Sequence, residues 1–139
     1  MAVKPLRASR LGGELRTWGP VLLWMVVIFV LSAIPDVPHQ RGLPHARSRR
    51  VDDSLREIAH IAEYALLAAL LWRALLRQRT PAVAAAWAAG VSLLYAASDE
   101  LHQRFVPGRW CSLTDWLTDL VGIALTLGAL LALQVLRKG

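Results

Sequence analysis

The chain has 139 residues, which the length prior assigns to one domain. Hydrophobic residues make up 55% of it and its mean hydropathy is positive, which excludes an ordinary soluble composition. The net charge of +6 does not mark a nucleic-acid binder, because the cationic residues flank apolar stretches and no basic–aromatic RNA-binding pattern is present. A single cysteine, Cys111, excludes an internal disulfide and a cysteine-based metal site.

Four apolar stretches stand out, at 17–34, 55–76, 81–97 and 113–136. Each approaches the ~20 residues that a helix needs to cross a hydrocarbon core. A soluble four-helix bundle would carry polar residues over about half of each helix. Here 21–31 is apolar on every face, and so is nearly all of 65–72. The pattern predicts an all-α transmembrane bundle of about four helices, over 17–139, behind a basic N-terminal tail at 1–16.

That tail holds Lys4, Arg7, Arg10 and Arg16 and is expected to be poorly ordered or interfacial. The apolar run behind it exceeds the ~7–15 residues of a signal-peptide core and ends in Ser-Ala-Ile-Pro without a small-residue cleavage site, so it reads as a retained first span. Trp18 suits an interfacial anchor and Pro20 the first turn of the helix. Pro35 and Pro38 stop the helix, because proline cannot continue the hydrogen-bond ladder. Residues 35–54 then form an extramembrane loop with three prolines, Gly42 and four arginines. Its two histidines, His39 and His45, are too few to hold a metal and read as solvated.

Asp53 or Ser54 is expected to cap the second helix. His60, Glu63 and Tyr64 are spaced i, i+3, i+4 and share a face of its early turns, before a fully apolar run to Arg73. Arg56 and Glu57 read as ordinary interfacial charges. Arg73, Arg77 and Arg79 form a basic turn, after which Thr80 caps and Pro81 starts helix three. This helix is rich in alanine, with Gly90 and Ser92, and small residues let membrane helices approach closely. It runs into a polar cluster, Ser98, Asp99, Glu100, His102, Gln103 and Arg104, in which Asp99 and Gln103 share a face. Glu100 and Arg104 suit a simple helical pair. A Pro-Gly turn with Arg109 follows. Helix four starts near Ser112 or Leu113 and places Asp115, Asp119 and Gly122 on one stripe.

Nine lysines and arginines fall on the side of the termini and seven on the other, which places both termini in the cytoplasm. Whichever way the chain inserts, four spans bring the start of helix two, the end of helix three and the start of helix four to the same face. His60, Glu63, Tyr64, Asp99, Glu100, Gln103, Arg109, Asp115 and Asp119 can therefore converge. Ionisable residues inside membrane segments are costly and are functional candidates by default. Tyr64 also suits an interfacial belt, as do Trp110 and Trp116.

The stretches REIAHIAEYALL (56–67) and LLYAASDELHQRFVPGRWCSLTDWLTDLVG (93–122) resemble the VanZ-like family, small bacterial membrane proteins named after a teicoplanin-resistance determinant. The family pattern is a basic residue, His and Glu-Tyr on helix two, then Ser-Asp-Glu-x-x-Gln, Phe-x-Pro-Gly-Arg, and two aspartates before a glycine. His60, Glu63, Tyr64, Asp99, Glu100, Gln103, Phe105, Pro107, Gly108, Arg109, Asp115, Asp119 and Gly122 fill it. Glu57 stands where the family often has lysine, and Trp110 where a small residue is usual. The first departure bears on the anionic group that the entrance of helix two would recognise. The resemblance implies a multi-pass protein of the bacterial plasma membrane, linked to the cell envelope and glycopeptide tolerance. It also implies a likeness to membrane enzymes that act on lipid head groups, phosphatidylserine synthases among them.

Three readings follow. In the first, the protein modifies the head group of a lipid or of a lipid-linked cell-wall precursor. His60 takes and returns a proton, which imidazole does near neutral pH. Glu63, Asp99 or Glu100 orients it or acts as general acid. Arg109 grips a phosphate, with Tyr64, Gln103, Asp115 and Asp119 as ligand contacts. Asp99, Glu100, Asp115 and Asp119 also suit a divalent cation, since hard ions take oxygen ligands. In the second, the same cluster binds a lipid or peptidoglycan precursor, or ties helices together, and alters antibiotic access without catalysis. The third is a small transporter or proton relay. The sequence leaves substrate, metal and oligomeric state open.

Overall fold

The computed structural model describes residues 6–35, 46–109 and 113–137. Four helices make it up: α1 (Leu6–Ser32), α2 (Ala46–Leu75), α3 (Pro81–Gln103) and α4 (Leu113–Leu136). Each contains a segment long and apolar enough to cross a membrane: Gly12–Ser32, Ser54–Leu75, Pro81–Gln103 and Leu113–Leu136. Helices satisfy every backbone polar group internally, which a hydrocarbon surrounding demands.

Two helices outrun the apolar stretches that announced them. α1 begins at Leu6, so most of the expected tail is helix. Its Leu, Arg, Ala and Glu residues are strong helix formers, and basic side chains beyond the hydrocarbon do not stop a helix. Pro20 is consequently an interior proline rather than a first-turn one, removing one ladder bond inside α1. α2 begins at Ala46, in the second half of the expected loop, so Asp53 and Ser54 are not caps. His39 and His45 lie outside the described residues, as do Trp110, Cys111 and Ser112. Thr80 has the extended backbone of an N-cap, but its hydroxyl makes no capping bond. Pro81 at the first turn starts α3 instead.

α2 packs mainly against α4 and α3, while α1 rests on α2 and α3; among the described residues it has no contact with α4. α1 and α4 therefore lie diagonally across the bundle. The core pairs α2 residues Tyr64, Leu67, Ala68, Leu71 and Trp72 with Val21 and Ile28 of α1 and Ile123 and Leu127 of α4. α3 enters with a row of small residues four apart, Ala84, Ala88, Ser92 and Ala96, all buried. Small side chains let helix backbones close up where no hydrophobic force drives association in lipid. Leu22, Leu23, Val26 and Val30 of α1, Trp87 and Leu94 of α3, and Leu125 of α4 point outward. Apolar residues outside and polar ones inside is the arrangement that a lipid solvent selects.

Hydrogen bonds pin the helices at successive levels. Tyr95 Oη donates to the Met25 carbonyl (2.6 Å) and Trp24 Nε1 to the Glu63 carbonyl (2.9 Å). Trp72 Nε1 donates to the Pro81 carbonyl (3.2 Å), which fastens the turn between α2 and α3.

Candidate functional site

The polar residues gather where α1 and α3 end and α4 begins. His60 lies in the second turn of the apolar segment of α2. Asp119 lies in the second turn of α4. Their side chains meet: His60 Nδ1 is 3.0 Å from Asp119 Oδ1. With Asp119 ionised, its oxygen accepts and Nδ1–H donates, which leaves Nε2 outside this bond. The meeting depends on Gly122, one turn after Asp119. A Cβ there would collide with the backbone carbonyl of Ile61, the residue after His60. The glycine lets α4 lie against α2 backbone to backbone, and that closeness brings Asp119 to the imidazole.

A second centre forms on Asp99. Its Oδ2 accepts from Ser32 Oγ (2.8 Å) and from Gln103 Nε2 (3.0 Å). The i, i+4 spacing of Asp99 and Gln103 places them on one face, and the last residue of α1 completes the set. His60, Asp99, Glu100, Gln103, Asp119 and Ser32 are each at most 5% exposed. A buried polar group of this kind is costly unless hydrogen-bonded, and these two centres satisfy that requirement.

Around them, Asp99 and Glu100 lie close enough to act electrostatically on Asp119, and Asp115 and Glu63 on His60. Glu63 is half-buried and also within electrostatic reach of Arg109. Tyr64 is fully buried in the core, its ring 6.5 Å from that of Tyr95, so it is not an interfacial belt residue. Its hydroxyl has no hydrogen-bond partner among the described residues. His102 is half-buried and stacks on Phe29 with ring centroids 4.4 Å apart.

Arg109 sits after a tight turn in which its N–H donates to the Val106 carbonyl (3.2 Å) and Gly108 has φ +80°. Pro107 followed by a positive-φ glycine is the signature of a type II turn. The turn swings the guanidinium back over the end of α1, where Nε donates to the Ile34 carbonyl (3.1 Å) and Nη2 to the Leu31 carbonyl (3.4 Å). The Leu31 carbonyl also accepts from the Ile34 N–H (3.2 Å), so Arg109 adds a second bond there and ties the chain just past the helix that carries Ser32. Two of its five N–H donors are used in this way. Among the described residues, no three His, Cys, Asp or Glu side chains are arranged to hold a metal ion.

The family model described as VanZ/LLP1 matches residues 17–136. The chain belongs to the VanZ/LLP1 family. Comparison with curated proteins and with solved structures finds no match. As a VanZ/LLP1 membrane protein with four apolar helices, it draws the residues of the resembling motifs together from three separate helices. His60 and Asp119 pair directly, and Asp99 and Gln103 pair with each other. Ser32 is the residue that sequence reasoning passed over. Its signal was present, a hydroxyl at the last turn of an otherwise apolar helix, but the stretch was weighed only as a cleavage site.

Proposed function

We propose that this end of the bundle is a site for the head group of a membrane lipid or lipid-linked cell-wall precursor, on which His60 acts as general base and acid. The observation that carries this is the buried His60–Asp119 pair. A carboxylate on Nδ1 fixes the ring and its tautomer and stabilises the imidazolium that forms when Nε2 takes a proton. The carboxylates around it suit the hydroxyl or amine of a head group, whereas the remaining donors of Arg109 suit its phosphate. In this reading the protein works in the bacterial plasma membrane, with both termini in the cytoplasm and the site on the outer face. A changed head-group population would then alter tolerance to a glycopeptide such as teicoplanin.

A second reading is favoured by the internal use of Asp99 and Arg109, which hold α1 to α3 and to the turn. In it the network binds a head group or clamps helices without chemistry. The two separate in a deletion strain carrying either the wild type or His60→Ala at equal membrane levels. Loss of the wild-type lipid profile together with teicoplanin tolerance supports the enzyme. An unchanged lipid profile removes it and leaves the binding role.

A further inference from the structure

The opposite end of the bundle holds a second polar feature, and it is basic. Arg16 and Thr17 of α1, with Arg73 and Arg77 at the end of α2, line a cavity of about 150 Å³. A single water needs only ~10–15 Å³ of such space, so the cavity admits a group of several heavy atoms. Thr17 is buried in its wall, where its hydroxyl donates to the Gly13 carbonyl (2.8 Å) and accepts from Arg77 Nη1. That bond holds the Arg77 guanidinium in place, and Arg16, Arg73 and Arg77 are all exposed. Among the described residues no carboxylate pairs with Arg16, Arg73 or Arg77. The α2 C-terminus adds a partial negative charge of only about half a unit. Three guanidinium groups therefore leave the cavity strongly positive.

Its depth is informative. Arg16 lies in the second turn of the apolar segment Gly12–Ser32, and Arg77 two residues past the segment Ser54–Leu75. The cavity thus opens at the level of the polar–apolar boundary, between two membrane helices. Planar, forked guanidinium groups match the oxygens of a phosphate. Basic pockets between membrane helices at this depth suit anionic head groups. We propose that this cavity is a binding site for a phosphate oxyanion, seated between α1 and α2 by Arg16, Arg73 and Arg77. The phosphate comes from an anionic lipid head group or from free phosphate.

The full chain in dodecyl maltoside micelles, which carry no phosphate, tests this in two arms. One adds increasing phosphatidylglycerol, the other inorganic phosphate, each followed by thermal melting and by native mass spectrometry of retained ligand. Stabilisation in the lipid arm alone assigns a head group, and in the phosphate arm alone assigns the free ion. Near an anionic surface one arginine is worth roughly fivefold in affinity, so Arg16→Gln with Arg73→Gln is expected to weaken binding about 25-fold. Each single variant, at an exposed side chain, is expected to weaken it about fivefold. Arg104→Gln, at the other end, leaves it unchanged. No binding in either arm, or wild-type binding by the double variant and both single variants, overturns the proposal.

Discussion

The two ends of the bundle treat charge in opposite ways. At the end holding His60 and Asp99, ionisable groups are buried and each centre is closed by hydrogen bonds from neighbouring helices. At the other end, Arg16 and Arg73 stand exposed around a cavity with no carboxylate partner among the described residues. Side-chain length accounts for the difference. Arginine reaches the interface on its own stem, whereas aspartate inside a membrane helix cannot and must find its partners within the protein. The acidic end should therefore be brittle and the basic end tolerant.

The largest effect is expected at Asp99. Asp99→Ala leaves the Ser32 hydroxyl without its acceptor and takes from the Gln103 amide the shorter of its two bonds, the other being to Ser32 Oγ at 3.5 Å, at ~1–3 kcal/mol for an unsatisfied group, or about 3 kcal/mol in all. Thermal melting in detergent reads this directly. Ser32→Ala removes the bond to Asp99 and the longer one from Gln103 but leaves Asp99 bonded to Gln103, and should cost about 1–2 kcal/mol. Gly122→Ala comes next. Its methyl meets backbone rather than a yielding side chain, so α4 must move off α2 at ~1–3 kcal/mol. Because the shift also separates Asp119 from His60, it should lower function more than melting temperature. Smallest is the paired change Arg16→Gln and Arg73→Gln, expected within about 0.5 kcal/mol of wild type in the absence of ligand. If that pair destabilised the protein as much as Asp99→Ala, the contrast between the ends would be lost.

Much of this was legible in the sequence. The four spans follow from apolar length alone, and the sharing of faces by Asp99 with Gln103, and by Asp119 with Gly122, follows from helical period. Convergence of the three helix ends follows from counting spans. Which residue meets which does not. That His60 selects Asp119 rather than the nearer-in-sequence Glu63 depends on a backbone contact at Gly122, and no periodicity encodes it. That the turn also takes two donors of Arg109 to the end of α1 is not encoded in its motif either. The basic cavity was invisible for a related reason. Arg16 read as part of a tail and Arg73 and Arg77 as orientation signals, until the continuation of α1 through Arg16 placed them together. Helix ends were missed at Leu6 and Ala46 because hydropathy marks where lipid begins, not where a helix does.

The most direct measurement concerns Asp119. Asp119→Asn keeps the size of the side chain and a hydrogen bond to His60, but an amide can donate to Nδ1 and so moves the ring proton to Nε2, the wrong tautomer for a base. Lipid extracts of a deletion strain carrying this variant, at wild-type membrane level and melting temperature, are compared with those of the strain carrying the wild type. The account predicts that the head-group change made by the wild type disappears with Asp119→Asn. A lipid profile identical to wild type would contradict it.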